Sequence, residues 1–333
     1  MEGSRARWWS WARRAVALVV AGLALWLVIR QVDPSSLIKV LAGVRPGWLL
    51  LALLAVVCTT GLKAMRWYVL LRRCHPGAPF VRFVRLLFIG QLANTLLPRL
   101  GDVVRGVWLG PEVKGGVPAV LGSLVVEKAL DTLLGLAILL GLVLSTPLPP
   151  WLQRSLTGLS ALAGALLLVL FAVRTSRVRL AALARRLPAG AGARIGRLIG
   201  DFLLGLDLLR APADAWLSIL LSATIWAFAV LTNVLAMRAL GIDAPGWAAW
   251  LVVVTVYAAT FLPTVPTQMG VFEYAAVLAL QAGGVAPEPA LAFGLILHFL
   301  VLAPPAVLGA LSMVQEGIEW RGLQAAREVV KSR

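Results

Sequence analysis

Six stretches of the chain, residues 12–30, 47–69, 117–145, 152–173, 214–238 and 289–315, are apolar for long enough to cross a bilayer as helices. The hydrocarbon core requires about 20 such residues per helix. A chain with six of them folds with lipid as its solvent. Composition supports this where it matters: 60% of the 333 residues are hydrophobic and 14% are charged, against about half and a quarter in a soluble domain. That excess of apolar surface is too large for one buried core and must face lipid.

Two more apolar regions are interrupted. Residues 83–112 contain Asn94, Pro98, Arg99, Gly101 and Asp102, and residues 246–282 contain Pro263, Pro266, Gln268 and Gly270. Non-helical backbone at membrane depth is tolerated only where protein or a water-filled cavity supplies its hydrogen bonds. Each region therefore reads as a re-entrant hairpin of two half-helices, with an ordinary proline-kinked helix as the alternative. The expected fold is an all-α polytopic membrane protein with six full transmembrane helices and two re-entrant hairpins.

Lys and Arg decide the orientation. Let the N-terminus lie inside and let each hairpin return to its own side. Segments 1–14, 63–85, 99–114, 174–210 and 316–333 are then inside and hold 25 of the 31 basic residues, against 5 outside, with Lys128 within a span. The expected location is the cell (cytoplasmic) membrane, with both termini cytoplasmic. The basic N-terminus and the apolar run after it resemble a signal peptide, but no small-residue cleavage site follows, so an uncleaved helix is expected.

The net charge of +16 comes from short clusters between apolar runs, not from a basic stripe with interleaved aromatics, which argues against a nucleic-acid partner. Cys58 and Cys74 form no disulfide or metal pattern. Gly190, Gly192 and Gly196 follow no strand, so they make no nucleotide loop. No cofactor, metal or catalytic nucleophile is expected.

The elements occur twice in the same order. Residues 47–145 (span, hairpin, span) are followed by the connecting helix 152–173 and the basic cytoplasmic loop 174–212; residues 214–315 then repeat the plan in the opposite orientation. Helix 12–30 is extra, and 316–333 is a cytoplasmic tail. Inverted repeats with broken helices at the midplane are a transporter architecture.

A charge at bilayer depth costs roughly 2.5–3.5 kcal/mol on insertion scales, so intramembrane charges are candidate functional residues. They are Asp102, Arg105, Glu127, Lys128, Asp131 and Glu273, with Lys63 and Arg66 near a cytoplasmic end. Asp102 follows the first break and is placed to cap the second half-helix. Arg99 and Arg105 there would offer a phosphate the paired donors of guanidinium. Glu127 and Asp131 lie four apart on one helical face, turned inward either to pair with Arg105, Lys63 or Arg66 or to serve substrate or protons. Glu273 is a candidate proton carrier, Asn94 could satisfy broken backbone or contact ligand, and His298 reads as a hydrogen-bonded packing residue.

The order Asn94-x3-Pro98-x2-Gly101-Asp102-x2-Arg105, Glu127-Lys128-x2-Asp131 and Leu262-Pro263-x2-Pro266-x3-Gly270-x2-Glu273 resembles the transmembrane domain of lysylphosphatidylglycerol synthases and related stand-alone flippase-like proteins. The resemblance runs from about residue 12 to 320. It departs at Thr267-Gln268-Met269, where a more glycine-rich stretch is expected. It implies movement of a phospholipid or polyprenyl-phosphate lipid between leaflets by a stand-alone member without the soluble aminoacyl-transferase domain. Anionic-headgroup lipids are the implied partners, and a homo-oligomer is compatible. A membrane-embedded glycosyl or lipid-phosphate transferase is the second expectation, and an accessory scaffold of an envelope-lipid pathway is the third.

Overall fold

The computed structural model describes residues 32–96, 100–146, 149–175, 211–260 and 266–318, with isolated residues between 19 and 30. Most of the expected first helix, the basic loop 176–210, most of the tail, and Arg99 lie outside the described residues. The regular structure of the described residues is entirely helical. Helix α1 is Pro34–Ala42, α2 Pro46–Leu71, α3 Phe80–Leu96, α4 Leu100–Leu109, α5 Gly116–Ser145 and α6 Pro150–Thr175. Beyond residue 210 come α7 Pro212–Ala239, α8 Gly246–Ala259, α9 Val271–Ala282 and α10 Pro287–Gln315.

Five of the six expected spans correspond to helices α2, α5, α6, α7 and α10, with ends within two residues of those read from apolar length. Proline at the first turn sets several starts, since the ring supplies a helical φ where no N–H partner is needed: Pro46, Pro212 and Pro287 do so here. Among the described residues α2, α5, α7 and α10 are long and apolar enough to cross a membrane. Their outer faces keep large apolar side chains exposed, with Leu144 at 85%, Trp216 at 72% and Val314 at 82%. Faces of that kind belong against lipid, and this is a multi-pass membrane protein.

The interrupted regions are pairs of short helices. α3 and α4 have 17 and 10 residues, and α8 and α9 have 14 and 12. The longest, at 1.5 Å rise per residue, is about 26 Å, short of the roughly 30 Å of a bilayer core. The members of each pair pack on one another. In the first pair the backbones meet at Gly90 and Gly101, where a Cβ on Gly101 would collide with the Gly90 carbonyl. α10 reaches α3 in the same way: a Cβ on Gly309 would lie 2.8 Å from the Phe88 carbonyl.

The packing has a symmetry. Exchange α2 with α7, α3 with α8, α4 with α9 and α5 with α10. Every substantial contact among these eight helices then maps onto another: α3–α10 onto α8–α5, α4–α5 onto α9–α10, α2–α10 onto α7–α5. The most extensive contact, α2–α7, maps onto itself.

Ion pairs gather the helix ends at one face. Arg72 and Arg73, just after α2, both bind Asp214 in the first turn of α7. Arg82 on α3 binds Glu112, and Arg85 binds Glu316 just after α10. The other ends of α2 and α7 meet where the Arg45 N–H donates to the Ala239 carbonyl, at 2.8 Å.

Helix α1 lies in a segment the apolar pattern reads as a connection. Its signal is local: Asp33 accepts from the Ser36 N–H and Pro34 opens the first turn, a standard helix start. Those bonds, with the Ser35 hydroxyl, hold the exposed Asp33 carboxyl down at about 2.

Candidate functional site

Four of the charged residues expected at depth converge on one buried cluster contributed by α2, α4 and α5. Arg66, with no exposed surface, binds Asp131 through two bonds of 2.6 and 3.2 Å. It also donates to the Ser222 hydroxyl on α7 at 2.8 Å and lies 3.5 Å from Glu127. Arg105 donates to Glu127 at 2.8 Å, with its guanidinium 4.1 Å over the Trp67 ring. Trp67 in turn donates to the Ser123 hydroxyl at 3.2 Å. The four-residue spacing of Glu127 and Asp131 puts both acids on one face, and Arg66 sits between them.

The geometry follows from cost. A buried charge left alone costs several kcal/mol, and a bidentate arginine–carboxylate pair compensates best because guanidinium and carboxylate match in shape. The match here is incomplete. The buried Nε atoms of Arg66 and Arg105 have no hydrogen-bond partner among the described residues. Lys63, one turn before Arg66 and half-buried, is within electrostatic reach of Asp131 and Glu127. Arg66 and Arg105 thus face the two carboxylates directly, with Lys63 within electrostatic reach of both.

Asn94 and Asp102 sit at the break between α3 and α4. The cap on α4 comes from Asn94, whose side-chain oxygen accepts from the Gly101 N–H at 2.8 Å. The capping expectation for Asp102 is thereby corrected: Asp102, half-buried in the first turn, makes no hydrogen bond among the described residues. Asparagine reaches back across the break because the Gly90–Gly101 contact brings the two helices to backbone distance. Lys128 is exposed rather than buried.

Glu273 belongs to a second cluster. It is 2% exposed, accepts from the Gly270 N–H at 2.7 Å, and lies 2.5 Å from Nδ1 of His298 on α10. The other ring nitrogen, Nε2, lies 2.9 Å from the Thr267 carbonyl. Phe272 stacks on the imidazole at 4.5 Å. Thr267 and Gln268, where a glycine-rich stretch is expected, hold left-handed φ values of 66° and 60°. That region is costly for a β-branched residue.

Sequence reasoning missed three participants. Ser222 carried a readable signal, since Ser218 and Ser222 are spaced one turn apart on an otherwise apolar helix. Trp67 and the partnership of His298 with Glu273 had none, because a tryptophan beside an arginine and a lone histidine have many other uses.

Comparison with known proteins gives one family. The profile described as the lysylphosphatidylglycerol synthase TM region matches residues 14–309. Glycosyltransferase AglD of Haloferax volcanii is 27% identical over 334 residues, covering 89% of this chain and 53% of that protein. UPF0104 membrane protein MJ1595 of Methanocaldococcus jannaschii is 22% identical over 125 residues, 36% of this chain and 37% of that protein. The chain therefore spans about half of the first relative's length, and the second alignment covers little more than a third of either protein. No solved structure matches.

Proposed function

The chain belongs to the lysylphosphatidylglycerol synthase TM region family, and from that premise we propose that it moves a phosphate-bearing lipid, a phospholipid or a polyprenyl-phosphate-linked lipid, between leaflets of the cell membrane. The observation that carries the reading is the pair of buried guanidinium Nε donors, on Arg66 and Arg105, that have no partner among the described residues. An anionic headgroup would meet those donors, and arginine donors suit phosphate. Asn94 and Asp102 lie at the same break, and Arg99 directly precedes α4 in sequence. The acyl or prenyl chains stay in lipid while the headgroup crosses.

In this reading α3–α4 and α8–α9 are the two re-entrant hairpins, entering from opposite sides, and the exchange symmetry of the packing supports two inverted repeats. The face where Arg72, Arg73, Arg82 and Arg85 pair is cytoplasmic, by the distribution of basic residues.

The test is leaflet accessibility of labelled phospholipid and labelled polyprenyl phosphate in liposomes carrying the purified protein. Wild type should move one class, and Lys63→Gln should slow it about tenfold or more with the fold intact. Absence of transport of any lipid by folded protein would sink the proposal.

A membrane-embedded glycosyl or lipid-phosphate transferase is the second reading, favoured by the printed name of the Haloferax relative. It requires carboxylates free to act as acid or base. Glu127 and Asp131 are each held by an arginine, which leaves Asp102 alone of the three acids to act and keeps this reading second. A chemically altered lipid in the same liposomes would reverse the order.

A further inference from the structure

Hydrogen-bond accounting at Glu273 and His298 fixes a proton count. The Thr267 carbonyl can only accept, so His298 Nε2, 2.9 Å away, carries a hydrogen. The Gly270 N–H donates to Glu273 Oε2. Between Oε1 and Nδ1, 2.5 Å apart, one further hydrogen must lie, since two lone pairs would repel at that distance. Whether drawn as carboxylate with imidazolium or as carboxylic acid with imidazole, the pair holds the same protons and is neutral. Loss of one proton leaves a carboxylate at 2% exposure beside a neutral ring, which has one hydrogen for two acceptors, Glu273 Oε1 and the Thr267 carbonyl.

Among the described residues the surroundings supply no replacement charge. Glu273 and His298 make no other ion pair among the described residues. From the elements packed against α9 and α10, the titratable groups are engaged elsewhere or lie at helix ends. Tyr257 of α8 stands on Trp226, and Tyr274 of α9 packs with Ala259 and Val271. Arg82 and Arg85 of α3 bind Glu112 and Glu316. On α2, Arg66 serves Asp131 and Lys63 faces the same acids. Asp214 of α7 binds Arg72 and Arg73 while Arg238 covers Trp48, and Lys39 of α1 and Glu288 of α10 lie near helix ends.

Position gives the pair a role. It ties the first turn of α9 to α10 and, through the Thr267 carbonyl, holds the left-handed turn at Thr267–Gln268, which packs against α3 of the opposite half. Register adds a comparison: 171 residues separate Asp102 from Glu273, and the same 171 separate Glu127 from His298. In the first half Glu127 is bound to an arginine, which stays charged at all working pH. At the matching place the second half has a histidine, which titrates.

We propose that Glu273 and His298 form a proton-binding site, and that the proton bound there is the coupling ion of lipid movement. Loaded, the pair is neutral and locks the turn. On unloading, the proton passes to water, the ring is left with one hydrogen for Oε1 and the Thr267 carbonyl, and the tie between Glu273 and the turn against α3 is broken. The coupling rests on the lipid-transport reading above; the site does not.

Two measurements separate them. In purified full-length protein with 15N-labelled imidazoles, His75 being identified by a His75→Gln variant, His298 should show a single pH-dependent step in which one of its two hydrogen-bonded ring nitrogens loses its hydrogen. Glu273→Gln, whose amide replaces the shared hydrogen with a fixed one, should fold and lose the step. A His298 signal that does not change with pH, or an unaltered step in Glu273→Gln, would overturn the site. In phosphatidylglycerol liposomes with a trapped pH dye, lipid movement should carry protons and quicken with an imposed pH gradient. Glu273→Gln should lose both effects. Lipid movement by wild type without proton flux would overturn the coupling. If no lipid moves, the transport reading and the coupling fall together, while the imidazole titration still decides the site.

Discussion

Replacing Arg66 by methionine keeps most of the side-chain volume and removes the charge at the centre of the cluster. Asp131 then loses both of its arginine bonds, Ser222 loses its donor, and Glu127 keeps only Arg105. Asp131 is 8% exposed, so water does not make good the loss. Breaking a buried ion pair from one side costs about 3–5 kcal/mol, because the remaining charge stays buried and uncompensated. Removing both charges with apolar residues of similar size is about neutral, on the same principle. The expected result is therefore a loss of about 3–5 kcal/mol for Arg66→Met, about two to three and a half powers of ten in the unfolding equilibrium at about 1.4 kcal/mol each. The double variant Arg66→Met/Asp131→Leu should recover most of it. Equilibrium unfolding in mixed micelles of a mild and a denaturing detergent, followed by helical circular dichroism, measures both. A single variant within about 1 kcal/mol of wild type, with additive effects in the double, would refute the reasoning and mean that water reaches the cluster.

Gly101→Ala should destabilise by about 1–3 kcal/mol, the cost of overpacking, because its methyl group meets the Gly90 carbonyl. Gly61→Ala, with nothing within 4 Å of the new methyl, should stabilise slightly, as alanine does in a helix, so the two differ in sign in one unfolding assay. Asp214→Asn removes the partner of Arg72 and Arg73, whose side chains are 41% and 60% exposed. Discounted for that screening, the loss should be about 1–2 kcal/mol in the same assay. The cap on α1 should depend on acid. Asp33 is held at about 2 in the folded chain against about 3.9 unfolded. Its contribution is therefore complete above pH about 4 and is lost as pH falls through about 2. The protection of the Ser36 amide, relative to its intrinsic exchange rate at each pH, should fall over that window in wild type and be low throughout in Asp33→Ala.

Much of the fold was legible because lipid imposes a simple rule on sequence. A span must be apolar for a fixed length, so the ends of α2, α5, α6, α7 and α10 could be read within two residues. Pro98 and Pro263 marked the two regions that do not run as one helix, since proline removes a hydrogen bond that lipid cannot replace. Helix α1 escaped because its signal is a cap at Asp33 rather than an apolar run. At the cluster, the cost of burying charge named Arg66, Arg105, Glu127 and Asp131. It said nothing of partners: Arg66 meets Asp131 65 residues away and Ser222 156 residues away.

By itself the sequence determined that this chain lives in a membrane, where its five long helices begin and end, and which charges were candidates for shelter. Each is a one-dimensional constraint, set by the length of an apolar run or the cost of a single buried group. Only the tertiary structure decided that Asn94 rather than Asp102 caps α4, that Arg66 rather than Lys63 bridges the two acids, and that His298 holds Glu273 to the turn at Thr267. Those outcomes depend on which helices approach, at Gly90 against Gly101 and Gly309 against Phe88, because a hydrogen bond made or missed within an ångström is a property of packing, which residue type and spacing do not encode.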